Sequence, residues 1–358
     1  MKYPRLIANK EALKHNAQII IKMCHDINVE LTAVVKVTCG EPRLAKMYTN
    51  LGVDMIGDSR IDNILRMRHA NLKGPFVLLR IPMISEIPDV VENTDVVLVS
   101  ELETVRFLGK EANKRRKTQK ILYMVDVGDL REGVWYENAV DEIEEASKID
   151  GVVLYGIGTN LGCYGGVIPD KENMNLLVKI AKALRARGVS FKIVSGGNTA
   201  ALYLMEKQIL PKGINGYRLG ESLILGTDVT NNRAFPFLRQ DTFTLQTEIV
   251  ELKNKPSVPK GKIGRDAMGR TPVFEDLGNR LKAIVAIGEQ DVPSDGLKPI
   301  DKGVKVLHAS SDHTVLDVTD FEGHLRVGDI LEFKVTYSAL LRAMTSPYVT
   351  KDWSQIES

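Results

Sequence analysis

The sequence predicts an α/β protein in which a closed (β/α)8 TIM barrel is followed by a smaller all-β domain. Eight short apolar segments alternate with helix-length amphipathic stretches early in the chain, which is typical of a parallel sheet that closes into a barrel. From about Ala234 the helical spacing disappears, and β-rich runs separated by Gly and Pro follow. We therefore predict a barrel over residues 1–233 and a β-domain over residues 234–358. An open doubly wound sheet is the alternative for the first domain.

The predicted elements of the barrel alternate between strand and helix. An amphipathic helix over Lys10–Met23 precedes the first strand, Leu31–Val37, whose apolar and β-branched residues indicate burial on both faces. The other seven strands are predicted at Val53–Asp58, Phe76–Pro82, Asp95–Ser100, Lys120–Val127, Val152–Gly158, Phe191–Ser195 and Gly213–Gly220. Intervening helices are predicted at Glu41–Leu51, Ser59–Ala70, Glu101–Lys114 and Lys171–Arg187.

The second domain has a different pattern. Its strands are predicted at Thr242–Leu252, Arg280–Ile287, Val304–Leu307, Thr314–Val318 and Asp329–Tyr337. The polar stretch Lys253–Asn279 between the first two is long for a loop, so we expect it to be functional or partly disordered.

Composition excludes several classes of protein. The formal charge of +2 gives no field that would recruit nucleic acid or an anionic membrane. No apolar run approaches the ~18 residues of a membrane span, and the first residues lack a signal-peptide core, so we expect a cytoplasmic protein. The 3 cysteines, Cys24, Cys39 and Cys163, are widely spaced without metal-ligand spacing, which predicts reduced thiols and no metal site.

One lysine, Lys36, interrupts the apolar run of the first strand. One interpretation is that its side chain extends to water at the strand end. The other is a Schiff-base lysine, because desolvation lowers the pKa of an amine and makes it both nucleophile and base near neutral pH.

Two turns of small residues follow the seventh and eighth strands, where barrels often hold phosphate. They are Ser195–Ala200 and Arg218–Ser222, and their glycines let backbone amides approach an anion while Thr199 adds a hydroxyl donor. Either turn alone is ordinary, but both opposite Lys36 predict a phosphate site. A phosphate site and a Schiff-base lysine in one barrel mouth indicate pyridoxal 5′-phosphate (PLP).

Arg218 gains a role from that prediction. A guanidinium has only donors and does not deprotonate, so beside the pyridine nitrogen it would keep that nitrogen unprotonated. The ring then becomes a weaker electron sink, which favours reprotonation at Cα over transamination or elimination. The alternative is an ion pair between Arg218 and Glu221 or another acid at the barrel end.

A family resemblance rests on ordered landmarks along nearly the whole chain. The sequence resembles the alanine racemase superfamily of fold-type III PLP enzymes, and most closely its ornithine racemase branch. The landmarks are Ala33–Lys36, Asp126–Arg131, Gly156–Asn160, Asn198–Thr199, Arg218–Gly220 and Ser311–Asp312, and the branch pattern is Lys36–Gly40, Gly158–Gly166 and Ala343–Tyr348.

The resemblance implies roles for individual residues. Lys36 matches the Schiff-base lysine, Arg131 an arginine near the phenolic oxygen of the cofactor, and Arg218 the partner of the pyridine nitrogen. The remaining implied cofactor contacts are Asn160, Asn198, Thr199, Gly220 and the amide of Glu221.

The departures from alanine racemases are equally informative. The tyrosine that reaches the phosphate is replaced by Gly40, the histidine beneath the ring by Asn160, and the carbamylated lysine by Met124. The tyrosine that acts as second base falls near Glu289, and its supporting tyrosine on Thr345. A simple alanine racemase is therefore not the preferred interpretation.

Two-base racemisation requires a proton donor on the face opposite Lys36. We expect His313 in this role because it titrates near neutrality. A surface or interface histidine is the alternative, and Cys163, Tyr164 and Glu289 with Asp291 are other candidates for the base. For the substrate we expect contacts to Ser311, Asp312 and Asp291, since an acid among Glu289, Asp291 and Asp312 would pair with a basic side chain.

The sequence therefore predicts a PLP-dependent amino-acid racemase that interconverts L- and D-ornithine. The resemblance also implies a homodimer with shared active sites. Racemases for alanine, lysine or arginine are the alternatives within this chemistry. A decarboxylase of the same fold type and a non-catalytic PLP-binding regulatory protein are the alternatives outside it.

Overall fold

The structure is a computed structural model that describes residues 2–357. The chain forms two compact units, one from Leu13 to Arg239 and the other from the described residues up to Ala12 together with those from Gln240 onward. The assignment of the first residues to the second unit was not expected from the sequence. The domain limits at residues 233 and 234, which came from the change in periodicity, remain a prediction.

The first unit is built on a closed parallel barrel. Its eight strands hydrogen-bond in chain order, and the last returns to pair in parallel with the first, which confirms the predicted fold class. After β1 (Arg5–Ala8) of the second unit, the strands are β2 (Glu30–Val34), β3 (Met55–Asp58), β4 (Phe76–Leu78), β5 (Val96–Val99), β6 (Gln119–Asp126), the short β7 (Val134–Trp135) that pairs only with β6, β8 (Val152–Gly158), β9 (Ile193–Ser195) and β10 (Gly216–Leu219).

Helices follow most of these strands. They are α1 (Lys10–His25), α2 (Pro42–Leu51), α3 (Ile61–His69), α4 (Ile87–Asn93), α5 (Leu102–Lys114), α6 (Ala139–Ser147), α7 (Lys171–Ala186), α8 (Leu202–Glu206) and α9 (Glu221–Leu225). Local sequence fixes several ends: α2 begins with Pro42 after the N-cap Glu41, and the N-cap Asp170 forms a capping box with Asn173 at the start of α7. The barrel unit ends with a hairpin of β11 (Thr227–Asp228) and β12 (Arg233–Ala234).

The barrel interior is packed rather than hollow. Side chains from successive strands form one buried apolar cluster, as in other barrels of eight strands. The cluster consists of Met55, Val77, Val96, Leu98, Leu122, Met124 and Ile193. Met124, which stands where the family carries a modified lysine, is thus part of the apolar core. Gly156 allows two strands to approach closely, because a Cβ at this position would lie 2.4 Å from the carbonyl oxygen of Ile193.

The second unit is a mostly antiparallel sheet, ordered β15-β18-β13-β14-β17-β16, in which β1 pairs with β13 and with β19. The strands are β13 (Phe243–Pro256), β14 (Asn279–Val285), β15 (Leu297–Pro299), β16 (Lys305–Ala309), β17 (Thr314–Asp317), β18 (Ile330–Val335) and β19 (Thr350–Asp352). Two helices accompany them, α10 (Tyr337–Thr345) and α11 (Ser354–Glu357). The sequence prediction missed α10, which begins at the N-cap Thr336 and buries an Ala/Leu/Met face.

Two general features bear on function. Within residues 2–357, no helix combines the length and apolarity needed to cross a bilayer. The same residues contain no group of three or more His, Cys, Asp or Glu arranged to hold a metal ion.

A buried carboxylate stands at the end of β3, beside the strand that leads to Lys36. Asp58 is 0% exposed, and its Oδ1 accepts hydrogen bonds of 2.9 Å from the amide of Arg60 and from Asn63 Nδ2. Its Oδ2 has no hydrogen-bond partner in the described chain. Desolvation raises the pKa of Asp58 to about 6, although the hydrogen bonds and the charge of Lys36 act in the opposite direction.

We predict that Asp58→Asn makes the protein more stable than the wild type at about pH 8 but not at about pH 4. Since the pKa of Asp58 rises from 3.8 to about 6 on folding, the wild type loses stability as the pH rises between those values, by up to ~3 kcal/mol. Thermal unfolding of both proteins across this pH range measures the difference. Asp62→Asn, which removes an exposed carboxylate from α3, is the matched control, and a difference that does not change with pH would contradict the prediction.

Candidate active site

Lys36 lies just beyond the first barrel strand rather than within it. The strand ends at Val34, and Lys36 begins a short 3-10 turn, Lys36–Thr38. Its side chain is accessible, which corrects the expectation of a lysine inside a strand buried on both faces. The turn continues into Gly40, where a Cβ would lie 2.7 Å from Cβ of Asn63. The tyrosine that alanine racemases carry at this position therefore has no room here.

The surroundings of Lys36 favour its neutral amine. Desolvation by nearby protein atoms lowers the pKa of Lys36, and the positive charge of Arg131 lowers it further, whereas Cys163, Asp58 and Glu132 oppose the shift. A lower pKa leaves more free amine near neutral pH. This is the property that a lysine needs in order to attack an aldehyde and to carry a proton.

Arg218 on β10 is buried and has no carboxylate partner among residues 2–357. Its guanidinium donates to Oγ of Ser195 and, at 2.7 Å, to the carbonyl oxygen of Thr159. Burial lowers the pKa of Arg218 to about 10, so it stays protonated at neutral pH. The alternative ion pair with Glu221 is not formed, because the Glu221 carboxylate accepts from Thr227 Oγ1 at 2.6 Å and from the amide of Val229 at 3.0 Å.

The two turns of small residues meet at the C-terminal edge of the barrel. Thr199 Oγ1 lies 3.2 Å from Ser222 Oγ and accepts a hydrogen bond of 3.2 Å from the amide of Ser222. Asn198 donates to the carbonyl oxygen of Leu161 at 2.8 Å and to Oδ1 of Asn160 at 3.0 Å. The turn after β9 is therefore connected both to the turn after β10 and to the loop after β8.

These residues fit PLP. The hydroxyl of Thr159 is buried and has no hydrogen-bond partner among the described residues, while its carbonyl oxygen accepts from Arg218. A Cβ at Gly158 would lie 3.1 Å from Nη1 of Arg218, so glycine leaves this guanidinium uncovered. An accessible amine, a lone buried guanidinium, an unsatisfied hydroxyl and turns of small residues are the groups expected for an aldehyde cofactor with a phosphate. In the sequence, Thr159 stands out only as part of Gly156–Asn160, because an unsatisfied hydroxyl is not visible in sequence.

Arg131 and Cys163 complete the barrel mouth. Arg131 forms an ion pair with the adjacent Glu132, and its charge influences both Lys36 and Cys163. The Cys163 sulfur accepts hydrogen bonds from Asn160 Nδ2 at 3.1 Å and Asn198 Nδ2 at 3.5 Å. Burial by neighbouring atoms raises the pKa of Cys163 despite the opposing charges of Arg131 and Lys36. Cys163 is nevertheless exposed as a residue, so it is not part of the buried core.

The candidate residues of the second unit form their own cluster. The loop between β16 and β17 carries Ser311, whose hydroxyl donates to Asp312 at 2.9 Å, and both Asp312 and His313 are exposed. Asp291 is buried and accepts from Ser346 Oγ at 2.5 Å. Gly288 brings the strand end that precedes Asp291 against this loop, since a Cβ there would lie 2.4 Å from the carbonyl oxygen of Ser311.

Glu289, the residue near the expected second base, is an ionised carboxylate that is already paired with arginines. Its carboxylate accepts from Ser294 Oγ at 2.7 Å and pairs with Arg270 at 3.2 Å and Arg342 at 3.3 Å. Burial alone would raise the pKa of Glu289, but Ser294 and Arg270 outweigh it, and the pKa is lowered. A carboxylate held ionised by two arginines is a poor proton donor at neutral pH, which weakens Glu289 as a candidate for the second base.

Comparisons with known proteins identify the family of the chain. A family model described as the N-terminal domain of alanine racemase matches residues 8–228. The chain is 49% identical to the lysine racemase of Thermotoga maritima over 352 residues, covering 98% of each chain. It is 41% identical to the ornithine racemase of Acetoanaerobium sticklandii, covering 98% of this chain and 99% of that protein.

Solved structures of similar fold have a lower sequence identity to this chain. An alanine racemase from Clostridium difficile 630 superposes with a TM-score of 0.75 at 21% identity, covering 95% of this chain and 93% of that chain. The alanine racemase of Streptomyces lavendulae superposes with a TM-score of 0.77 at 16% identity, covering 98% and 97%. These two support the fold, while the family match and the two closer relatives establish the kinship: the chain belongs to the alanine racemase family of PLP-dependent amino-acid racemases.

Proposed function

We propose that this racemase acts on an α-amino acid with a terminal amine, with ornithine, the substrate predicted from the sequence, and lysine as the two candidates. The relatives named lysine racemase and ornithine racemase are 49% and 41% identical to this chain, whereas alanine racemase 2 of Caldanaerobacter subterraneus is 25% identical. One observation carries the racemase chemistry of this proposal. The same end of the barrel has an accessible Lys36 amine of lowered pKa and a buried Arg218 that has no carboxylate partner among the described residues.

The barrel residues divide the work of the reaction. When bound, PLP withdraws electrons from the substrate and thereby acidifies the Cα hydrogen. Lys36 holds the cofactor and exchanges a proton at Cα on one face. Arg218, as a permanent donor, keeps the ring nitrogen unprotonated and so limits side reactions. Arg131, Asn160 and Asn198 would hold the ring of the cofactor, and Thr199, Gly220 and the amide of Glu221 would hold its phosphate.

The remaining groups expected from the sequence are residues of the second unit. His313 serves the opposite face of Cα, because its imidazole is exposed and an imidazole can both donate and accept a proton. Ser311, Asp312 and Asp291 contact the substrate. Of the acids considered for the terminal amine, Asp312 is exposed while Glu289 is paired with two arginines, which favours Asp312. The proposal includes a cytoplasmic homodimer with shared active sites.

We predict that the PLP-loaded enzyme racemises L-ornithine or L-lysine at least tenfold faster, in kcat/KM, than L-alanine. A cationic terminal group gains from a nearby carboxylate, and one such ionic hydrogen bond is worth about 1.5–3 kcal/mol, or at least about tenfold. Loss of optical rotation from single enantiomers measures the rates, with L-arginine as a longer cationic comparison. Faster turnover of alanine than of both diamino acids would reject the proposed substrate class, and release of CO2 would indicate a decarboxylase.

We predict that Lys36→Ala loses at least about 10³-fold in turnover, since the variant lacks both the cofactor anchor and one proton-transfer group. It should also lose the visible absorbance that the wild type gains when saturated with PLP. Lys120→Ala, which removes an exposed lysine from the opposite end of the barrel strands, is the matched control and should behave like the wild type. A wild type that stays colourless and inactive with PLP would indicate that the chain does not use this chemistry.

We predict that His313→Gln slows inversion at least 100-fold but leaves one enantiomer exchanging its Cα hydrogen with deuterated water. The reason is that Lys36 still serves one face, while the opposite face has lost its proton donor. Proton NMR of each enantiomer in deuterated water, combined with chiral analysis, separates exchange from inversion. Cys163→Ser is the comparison variant: if it shows this pattern and His313→Gln racemises normally, the second base is Cys163.

A further inference from the structure

A buried carboxylate in the loop after β6 has no role in the proposed reaction. Asp129 is 1% exposed, and all the hydrogen bonds to its side chain come from backbone amides of one segment, Gly162–Val167. Oδ1 accepts from Gly162 at 3.0 Å and Val167 at 3.1 Å, and Oδ2 accepts from Cys163 at 3.2 Å and Tyr164 at 2.8 Å. The Asp129 carbonyl oxygen accepts from the amide of Gly165 at 3.0 Å.

The segment is shaped to fit this carboxylate. A Cβ at Gly165 would lie 2.8 Å from the Asp129 carbonyl oxygen, so no larger residue fits without displacement. Gly162 has a φ of +68°, and a Cβ there would lie 2.6 Å from Oγ1 of Thr230, which donates to the Gly162 carbonyl oxygen at 3.1 Å. Gly162 and Gly165 are therefore required by their contacts, and the segment folds around the carboxylate of Asp129.

The segment in turn positions Cys163 at the barrel mouth. The sulfur is held by Asn160 and Asn198, the residues proposed to lie along the cofactor, and its ionisation responds to the charges of Arg131 and Lys36. Asp129 belongs to the same loop as Arg131 and follows β6, whereas Cys163 follows β8. Since β6 and β8 are parallel neighbours, Asp129 joins two adjacent loops at the C-terminal edge of the barrel.

We propose that Asp129 is a positioning residue that holds the segment Gly162–Val167 at the barrel mouth and thereby fixes Cys163 beside Asn160 and Asn198. Four amide donors share two oxygens, and an ionised carboxylate accepts all of them, whereas the amide of asparagine has one acceptor oxygen and presents two donors. The effect on turnover rests on the proposed racemase function. The effect on the segment does not.

The test compares the full chain, with and without PLP, as wild type and as Asp129→Asn. We expect amide hydrogen exchange at residues 162–167 to accelerate at least fivefold in the variant. The reason is that two backbone amides of the segment would face the NH2 group of asparagine instead of a carboxylate oxygen. Alkylation of Cys163 by iodoacetamide, followed by peptide mass spectrometry, should change at least threefold while Cys24 and Cys39 react as before. Racemisation of the preferred amino acid should fall at least tenfold in kcat.

A second variant separates the effect of loosening the segment from the effect of removing the Asp129 charge. Gly165→Ala keeps the carboxylate but adds a methyl group that would clash with the Asp129 carbonyl oxygen. It should therefore cause the same changes in amide exchange at residues 162–167 and in alkylation of Cys163. Asp141→Asn, whose side chain is 82% exposed, is the matched control and should show none of them.

Three results would overturn the inference: unchanged exchange and thiol labelling in both loop variants, acceleration spread evenly over the whole barrel, or unchanged turnover in a variant whose segment has loosened. Absence of racemisation by the wild type would instead reject the proposed function, while exchange and labelling would still decide the structural role of Asp129.

Discussion

The closure of the barrel is the constraint on which the site depends. β10 pairs in parallel with β2, so that Arg218 lies opposite Thr32 in the register. This pairing brings the turn that begins at Lys36 next to the strand that carries Arg218, although the two residues are far apart along the chain. Without closure, the lysine after the first strand and the turns after the last two strands would lie at opposite edges of an open sheet.

Two cationic side chains at the barrel mouth, Lys36 and Arg218, are partly or fully removed from water. Arg218 is buried and bonded only to neutral oxygens, and Lys36 has a lowered pKa. The nearby acids are bonded to other groups: Asp58 through one oxygen to Arg60 and Asn63, Asp129 to backbone amides, Glu132 to Arg131, and Glu221 to a hydroxyl and an amide. Within residues 2–357, Lys36 and Arg218 therefore form no ion pair with an acid, and such a site favours an anionic ligand.

Much of the fold could be predicted from sequence because strand burial and helix amphipathicity are local patterns. All eight barrel strands were located, with errors mainly at their ends. The all-β second domain was recognised from the loss of helical spacing in the sequence. The first strand was drawn too long because Val35 and Val37 are as apolar as the residues before them. The helix Tyr337–Thr345 was missed because its sequence continues directly from a strand. An extended start of the chain was expected, but the pairing of Arg5–Ala8 was not foreseen, because its partners are more than 200 positions away.

The sequence by itself determined the alternation that makes a barrel and the turns of small residues, since each is a pattern of neighbouring residues, whereas the structure moved Lys36 from the first strand to the turn that follows it. The tertiary structure decided which polar groups find partners. It left the hydroxyl of Thr159 unsatisfied, surrounded Glu289 with arginines and folded a loop around Asp129. Hydrogen bonding and desolvation depend on groups from distant parts of the chain, so their outcome is fixed only when the strands are assembled.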